Sequence, residues 1–327
     1  MNLDKKVSIL IPVYNRQDLI EDTVKCALAQ TYTNTEIIIV DNHSTDNTWQ
    51  IVQKLSTLDP RIKIFQNPTN IGPIRNWQRC LNEATGEYAK ILFSDDIIHS
   101  TFLERTVPYL QDPEVGFVQT KASVIALPAN TESPIKEIAN TGKYSGDFYV
   151  TGLLFRRYFN VSPSCALFRT EDLKKNMLDN FPNKIGNRPD QHAIGPDALI
   201  YLLTANSYPY FYFINEPLAA YKSHQDSITV YSSWGKLLLH YALANSFFVE
   251  NYRKDLIHQQ NTINKLYLLA YKTEAKTYGL CQMSDFYMQN QDFSVDTSFL
   301  IKKGIPFLTM RCLSFIKQSI KKLIRRK

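Results

Sequence analysis

Neither glycine fingerprint of a phosphate-binding loop, GxGxxG or GxxxxGK[ST], occurs in this sequence, whose 327 residues include only 11 glycines. Whatever binds here is not held in the dinucleotide or P-loop manner. The five cysteines, Cys26, Cys80, Cys165, Cys281 and Cys312, are odd in number, scattered and without a CxxC pair. That excludes a zinc ribbon or a disulfide framework and points to reduced thiols in a cytosolic protein. No signal-peptide core precedes the first apolar run, and the most apolar window, 199–221, is broken by Asn206, Pro209, Asn215, Glu216 and Pro217. No stretch therefore offers the roughly 20 apolar residues of a spanning helix. Internal repeats are also lacking.

What is present is the composition of a globular chain, 44% hydrophobic and 21% charged, long enough for one large α/β domain with an appendage. The net charge of +6 is unevenly placed. Residues 298–327 carry nine Lys/Arg and no acid, leaving 28 basic against 31 acidic groups, net −3, elsewhere. In that stretch Ile305, Leu308, Cys312, Phe315, Ile316, Ile320, Leu323 and Ile324 fall on helical spacing, with Lys317, Lys321, Lys322, Arg325 and Arg326 around the polar side. Such a helix suits an anionic membrane surface, or a packed helix with a solvated basic face. Nucleic acid is a poorer partner, because the rest of the chain is acidic and no recognition motif occurs.

The sequence is organised around residues 88–93, an apolar run read as a buried strand that ends in Asp95 and Asp96. Open α/β sheets bind ligands at the carboxyl ends of their strands, and adjacent carboxylates suit a site holding Mg²⁺ or Mn²⁺. Upstream, Val7–Pro12, Glu36–Val40 and Ile62–Phe65 read as strands alternating with helices over Asp18–Ala29, Asn47–Leu58 and Pro73–Ala84. Thr101 and Glu104 suggest a capping box opening a helix to Leu110, followed by a strand over Val115–Val124. Residues 126–147 and 180–196 read as loops, a helix over Ala198–Ala205 follows, and Tyr210–Ile214 and Leu218–Tyr221 read as two strands. From Trp234 the pattern turns helical, giving domains 1–230 and 231–327.

Three motifs stand in order: Pro12-Val13-Tyr14-Asn15-Arg16 after the first strand, Asp41-Asn42-His43-Ser44-Thr45-Asp46 after the second, and Asn70-Ile71-Gly72 through Arg75-Asn76 leading to Ser94-Asp95-Asp96. As an ordered set, over residues 5 to about 228, they resemble the family 2 glycosyltransferases of bacterial surface-polysaccharide synthesis. The resemblance implies a GT-A fold: an α/β architecture with a mainly parallel sheet flanked by helices, and a C-terminal helical extension. It implies a nucleotide-sugar donor, with UDP the first to expect, and an inverting transfer to a glycan or polyprenyl-diphosphate-linked acceptor. It also implies a cytoplasmic protein, peripheral on the inner membrane face, that uses a divalent cation, Mn²⁺ or Mg²⁺.

Residue by residue, the resemblance has Pro12, Tyr14 and Asn15 border the nucleoside, and Asp41 and Asn42 reach the base edge. Arg75 and Asn76 take the nucleotide side of the pocket, Asp95 the donor, and Asp96 the metal. Lys222 and His224, in Lys222-Ser223-His224 with Ser227, reach the diphosphate and the metal. Asp197, after Gly195-Pro196, is the catalytic base, with Asp190 its competitor; a helix cap is the other reading of Asp197. Plain structural readings also exist: a packed ring for Tyr14, a surface salt bridge for Arg75, a hydrogen-bonded surface residue for His224. Two departures stand out, since Phe93 and Pro196 occupy positions where relatives often carry acids. They keep open a non-catalytic sugar-binding scaffold. A nucleotidyltransferase would show a Gly-rich basic loop that Pro12–Arg16 lacks.

Overall fold

The computed structural model describes residues 5–127, 129–135, 139–156, 159–224 and 232–304. They fall into two units, one running to residue 180 and again from 188 toward 231, the other comprising 181–187 and the chain from 232 onward.

The first unit is built on a ten-stranded mixed sheet. Strands β1 (Val7–Val13) and β2 (Thr35–Asp41) are buried at every position, as continuous Val/Ile/Leu runs require when helices cover both faces. With β3 (Ile62–Gln66) and β4 (Tyr88–Ile91) they form a parallel half in the order β3-β2-β1-β4. The crossovers are α1 (Ile20–Leu28), α2 (Thr48–Ser56) and α3 (Pro73–Asn82), the last opened by Pro73 at a position where a missing N–H costs nothing. Their buried faces close the core around Ile9, Ile11, Ile37, Ile39, Val24 and Val52.

Beyond β4 the sheet departs from the expected simple alternation. The strand over 88–93 stops at Ile91, and a turn separates it from β5 (Asp96–Ile98). After α4 (Phe102–Leu110), β6 (Val115–Ala126) pairs parallel with β10 (Tyr210–Ser223), and β9 (Ala166–Arg169) lies antiparallel between β4 and β6. The two strands expected over 210–221 are one, with register shifts around Pro217, which has no N–H to give the ladder. The loop expected over 126–147 contains β7 (Thr131–Pro134) on β6 and β8 (Gly142–Ser145) on β10, and α5 (Gly146–Thr151) starts at its end. The four β7 residues are exposed, so no buried alternation marked them. Thr101 makes no side-chain cap; the Glu104 carboxylate instead accepts from Thr31 Oγ1 at 2.6 Å.

At the amino ends of the parallel strands, Glu36 is 2% exposed. It accepts from Ser8 Oγ at 2.6 Å, Thr85 N at 2.8 Å, Lys63 Nζ at 2.8 Å and Lys6 Nζ at 3.0 Å. Burial opposes its charge, but these hydrogen bonds together outweigh it and hold the carboxyl well below its usual range. A carboxyl lowered in the folded state contributes stability that is present above its unfolded pKa, ~4.3, and is lost as pH falls below that. Glu36→Gln is expected to cost about 2–3 kcal/mol at pH 7, less than a fully buried pair because both lysines are partly solvated, and much less at pH 3. Urea unfolding at the two pH values reads the difference.

The second unit is helical. Helices α9 (Trp234–Tyr252) and α10 (Ile257–Ala270) enclose polar groups: Asn264 Nδ2 donates to Ser246 Oγ at 2.8 Å and Tyr287 OH at 3.1 Å. The Glu250 carboxylate receives the amides of Met288, Gln289 and Asn290 at 3.0, 2.7 and 2.6 Å. Phe181 packs on Phe247 with ring centroids 5.4 Å apart, so part of the expected 180–196 loop is ordered with these helices. The basic amphipathic segment read over residues 305–326 lies outside the described residues. Among the described residues no helix is long and apolar enough to cross a membrane, and Cys26, Cys80, Cys165 and Cys281 are free thiols.

Candidate active site

The carboxyl end of β4 delivers the acid pair to where the sheet changes from parallel to mixed. Asp96 begins β5, whose antiparallel ladder on β10 pairs Tyr221 with Asp96 and so brings Lys222 and His224 to the same place. His224 Nε2 lies 2.9 Å from Asp95 Oδ2, and Arg16 Nε, from the loop after β1, lies 3.6 Å from the same oxygen. Asp95 thus faces two basic groups. Asp96 is 5% exposed, and its main-chain oxygen accepts from Thr23 Oγ1 of α1 at 2.9 Å. Burial and then the Asp95 charge push its carboxyl well above the usual range, against the Ser164 hydroxyl, Lys90 and Lys222, which act the other way. Lys222 itself holds Asp22 Oδ2 at 2.6 Å.

The expected nucleoside residues come together as one mesh. Asn15, at φ +50°, exchanges hydrogen bonds with Thr45, and its amide donates to Ser44 Oγ at 2.9 Å. This ties the loop after β1 to the loop after β2. Pro12 is buried within β1, whereas Tyr14 is 40% exposed, so its ring is the surface this loop offers. Asp41 is fully buried and accepts from Ser44 N, Ser44 Oγ and Gln66 Nε2. Asn42 Oδ1 accepts from Asn67 Nδ2 and Ile71 N, both at 3.0 Å, while its amide nitrogen reaches Asn70 and Gly72. Asn76 takes Asn67 Nδ2 at 2.9 Å and donates to Val40 O at 3.1 Å. In this arrangement Asp41, Asn42 and Asn76 brace the loops, and Tyr14 is the exposed side chain among these residues.

The two candidate bases differ in their surroundings. Asp197 lies in the first turn of α8 (Pro196–Ser207), behind Gly195 at φ +110°, and its Oδ1 accepts from Gly195 N at 3.0 Å and Ala198 N at 2.9 Å. It is half-buried. Asp190, in the short helix α7 (Pro189–His192), is gripped by Arg188 through Nε–Oδ1 and Nη2–Oδ2 contacts of 2.9 and 2.7 Å. That guanidinium, with Arg75 at 3.6 Å, holds the Asp190 carboxyl below its usual range against burial. A paired, acidified carboxylate is a poor proton acceptor, which argues against Asp190 as the base. Arg75 also pairs with Asp179 at 3.4 Å, so its contacts are with acids of the 179–190 stretch.

The donor set bears on the expected cation. Among the described residues no group of three or more His, Cys, Asp or Glu side chains is assembled to enclose a metal. What exists is an adjacent pair with one buried, charge-resisting carboxylate. That fits a cation shared with a diphosphate, whose oxygens complete the coordination, better than a protein-enclosed centre. The sequence motifs assign no role to Arg16, which stands in one of them, nor to Asn67, Lys90 or Ser164. Asn67, beside Asn70 and Pro68, carried a turn signal; nothing in the sequence marks Ser164.

Part of this sequence and its fold recur in known proteins. The chain is 40% identical over 168 residues to the Escherichia coli UDP-Glc:alpha-D-GlcNAc-diphosphoundecaprenol beta-1,3-glucosyltransferase WfaP, covering 51% of this chain and 62% of that one. It is 36% identical over 120 residues to the putative teichuronic acid biosynthesis glycosyltransferase TuaG of Bacillus subtilis, covering 37% of this chain and 48% of the relative. The matches thus span about half to three fifths of those relatives. Among solved structures, S. aureus TarS 1–349 in complex with UDP-GlcNAc superposes with a TM-score of 0.63 at 18% identity, covering 84% of this chain and 78% of that one, which shows a shared fold. The family described as Glycosyl transferase family 2 matches residues 8–177, from β1 through the acid pair to the end of α6 (Thr170–Asn176), and the chain belongs to that family.

Proposed function

We propose that this chain moves a sugar from a nucleoside-diphosphate donor, UDP before other nucleotides, to a hydroxyl of a glycan or polyprenyl-diphosphate-linked glycan in surface-polysaccharide synthesis. The observation that carries the reading is the Asp95–Asp96 pair at the carboxyl end of the parallel strands, one acid buried and the other facing Arg16 and His224. WfaP, whose name states a UDP-glucose donor and a diphosphoundecaprenol-linked acceptor, supports the choice of nucleotide and acceptor class.

The transfer is a single displacement with inversion. Asp197 takes the acceptor proton, the acceptor oxygen bonds to the anomeric carbon, and the bond from that carbon to the diphosphate breaks, with the electron pair leaving on the nucleotide. Asp96 and His224 are the residues that would hold a divalent cation, which would supply Lewis-acid neutralisation of the leaving group. Arg16 and Lys222 add positive charge to the same region, and the exposed Tyr14 ring faces the base. The acid-free, basic stretch over 298–327 keeps the enzyme at an anionic membrane surface, close to a lipid-linked acceptor.

Calorimetry with UDP, dTDP, GDP and CDP, each in Mn²⁺ and in EDTA, tests the reading. UDP is expected to bind at least about tenfold more tightly with Mn²⁺ than without, through the cation's bridge to the diphosphate. Absence of binding by every nucleotide in either condition sinks the transferase reading and leaves a scaffold.

A further inference from the structure

Lys90 is the one charged residue of β4, and its side chain is completely buried. Its neighbours Tyr88, Ala89, Ile91 and Leu92 are core residues, so a methionine would fill the same space without desolvating a charge. The ammonium donates to the carbonyl oxygens of Ile91 at 3.2 Å, Pro163 at 3.4 Å and Ser164, and it stands 4.3 Å from the centroid of the Phe102 ring. Three acceptors match its three donors.

Two of those carbonyls belong to the single 3₁₀ turn Pro163–Cys165, which carries Ser164. Ser164 is also fully buried. Its Oγ accepts from Phe93 N at 3.1 Å, and the Phe93 carbonyl in turn accepts from Asp96 N at 2.9 Å; the hydroxyl also favours the charged form of the Asp96 carboxyl. The turn thus holds the main chain of the acid-pair loop at Phe93, one hydrogen bond from Asp96.

We propose that Lys90 and Ser164 are positioning residues for the donor diphosphate: Lys90 fixes the Pro163–Cys165 turn, and Ser164 of that turn holds Phe93 N, setting the main-chain turn from Phe93 to Asp96 before a ligand arrives. This rests on the cation-assisted donor site proposed above. Outer hydrogen-bond partners of metal-binding groups set metal affinity by orienting the ligand and tuning its charge.

The test uses the full chain, with Mn²⁺ binding read by electron paramagnetic resonance and UDP binding by calorimetry. Ser164→Ala is expected to weaken Mn²⁺ binding in the presence of UDP by about tenfold or more, while UDP affinity in EDTA stays near wild type and the unpaired Phe93 N–H lowers the thermal midpoint only modestly. Lys90→Met is expected to act in the same direction. Should that variant fail to fold, Ser164→Ala decides alone. A wild-type Mn²⁺ increment in Ser164→Ala overturns the proposal, as does a loss of UDP affinity that is equal with and without Mn²⁺, the mark of a merely structural role. A wild-type protein with no Mn²⁺ increment overturns the cation reading itself, and this inference with it.

Discussion

Replacing Asp197 by Asn is expected to lower kcat by about 10³-fold while leaving UDP affinity and thermal stability near wild type. Asn keeps an Oδ1 acceptor, so the hydrogen bonds from Gly195 N and Ala198 N at the start of α8 survive and the helix end is not disturbed. What is lost is the capacity to take a proton. Asp190→Asn provides the contrast. It removes the charge and one of the two acceptor oxygens that Arg188 grips, with a 3.6 Å contact to Arg75, so its expected signature is lower stability and higher donor KM with less change in kcat. Steady-state kinetics on both variants, beside thermal melts, separates the roles. A kcat for Asp197→Asn within about threefold of wild type, far below the range of a lost general base, reduces Asp197 to a helix brace.

Asp96→Asn is expected to lower kcat on the order of 10²–10³-fold and to abolish the Mn²⁺-dependent gain in UDP affinity. It is also expected to raise the melting temperature of the metal-free protein. Burial and the Asp95 charge raise the folded-state pKa of Asp96 above its unfolded value. Between those two values the folded state binds the extra proton, so stability falls as pH rises through the window, and at neutral pH the charged form works against folding. A neutral amide removes that penalty, an increase of about 3 °C for each kcal/mol regained. Melts at pH 5 and pH 8 check the sign, because the advantage of the variant is expected to grow with pH. Loss of turnover with a gain in stability is the pattern of a site that stores unfavourable charge for a ligand to relieve.

Much of this architecture is legible from apolar runs. Ile37-Ile38-Ile39-Val40 is unambiguous, since four consecutive buried side chains need a strand covered on both faces. The motif order placed the loops after β1 and β2 side by side, and Asn15 with Thr45 and Ser44 shows them joined. Polar edge elements such as Thr131–Pro134 escape because an exposed strand needs no hydrophobic alternation. Thr101 and Glu104 had the spacing of a cap, yet Thr31, some seventy residues away in sequence, took the carboxylate. Ser164 was invisible for the same reason: its partner Phe93 lies far along the chain, and only the sheet brings them together. Local chemistry reads from neighbours, whereas the shell behind an acid pair is written in long-range contacts.

Gly72 carries a consequence for loop exchange between relatives. At φ +88° it opens α3, and a Cβ there would stand 2.7 Å from the main-chain oxygen of Asp190. Any side chain at 72 therefore pushes on the stretch that leads to Asp197. A chimera that imports residues 188–197 must keep the host's path at position 190, or import residues 70–76 as well. The two stretches are in this sense a single transplantable part.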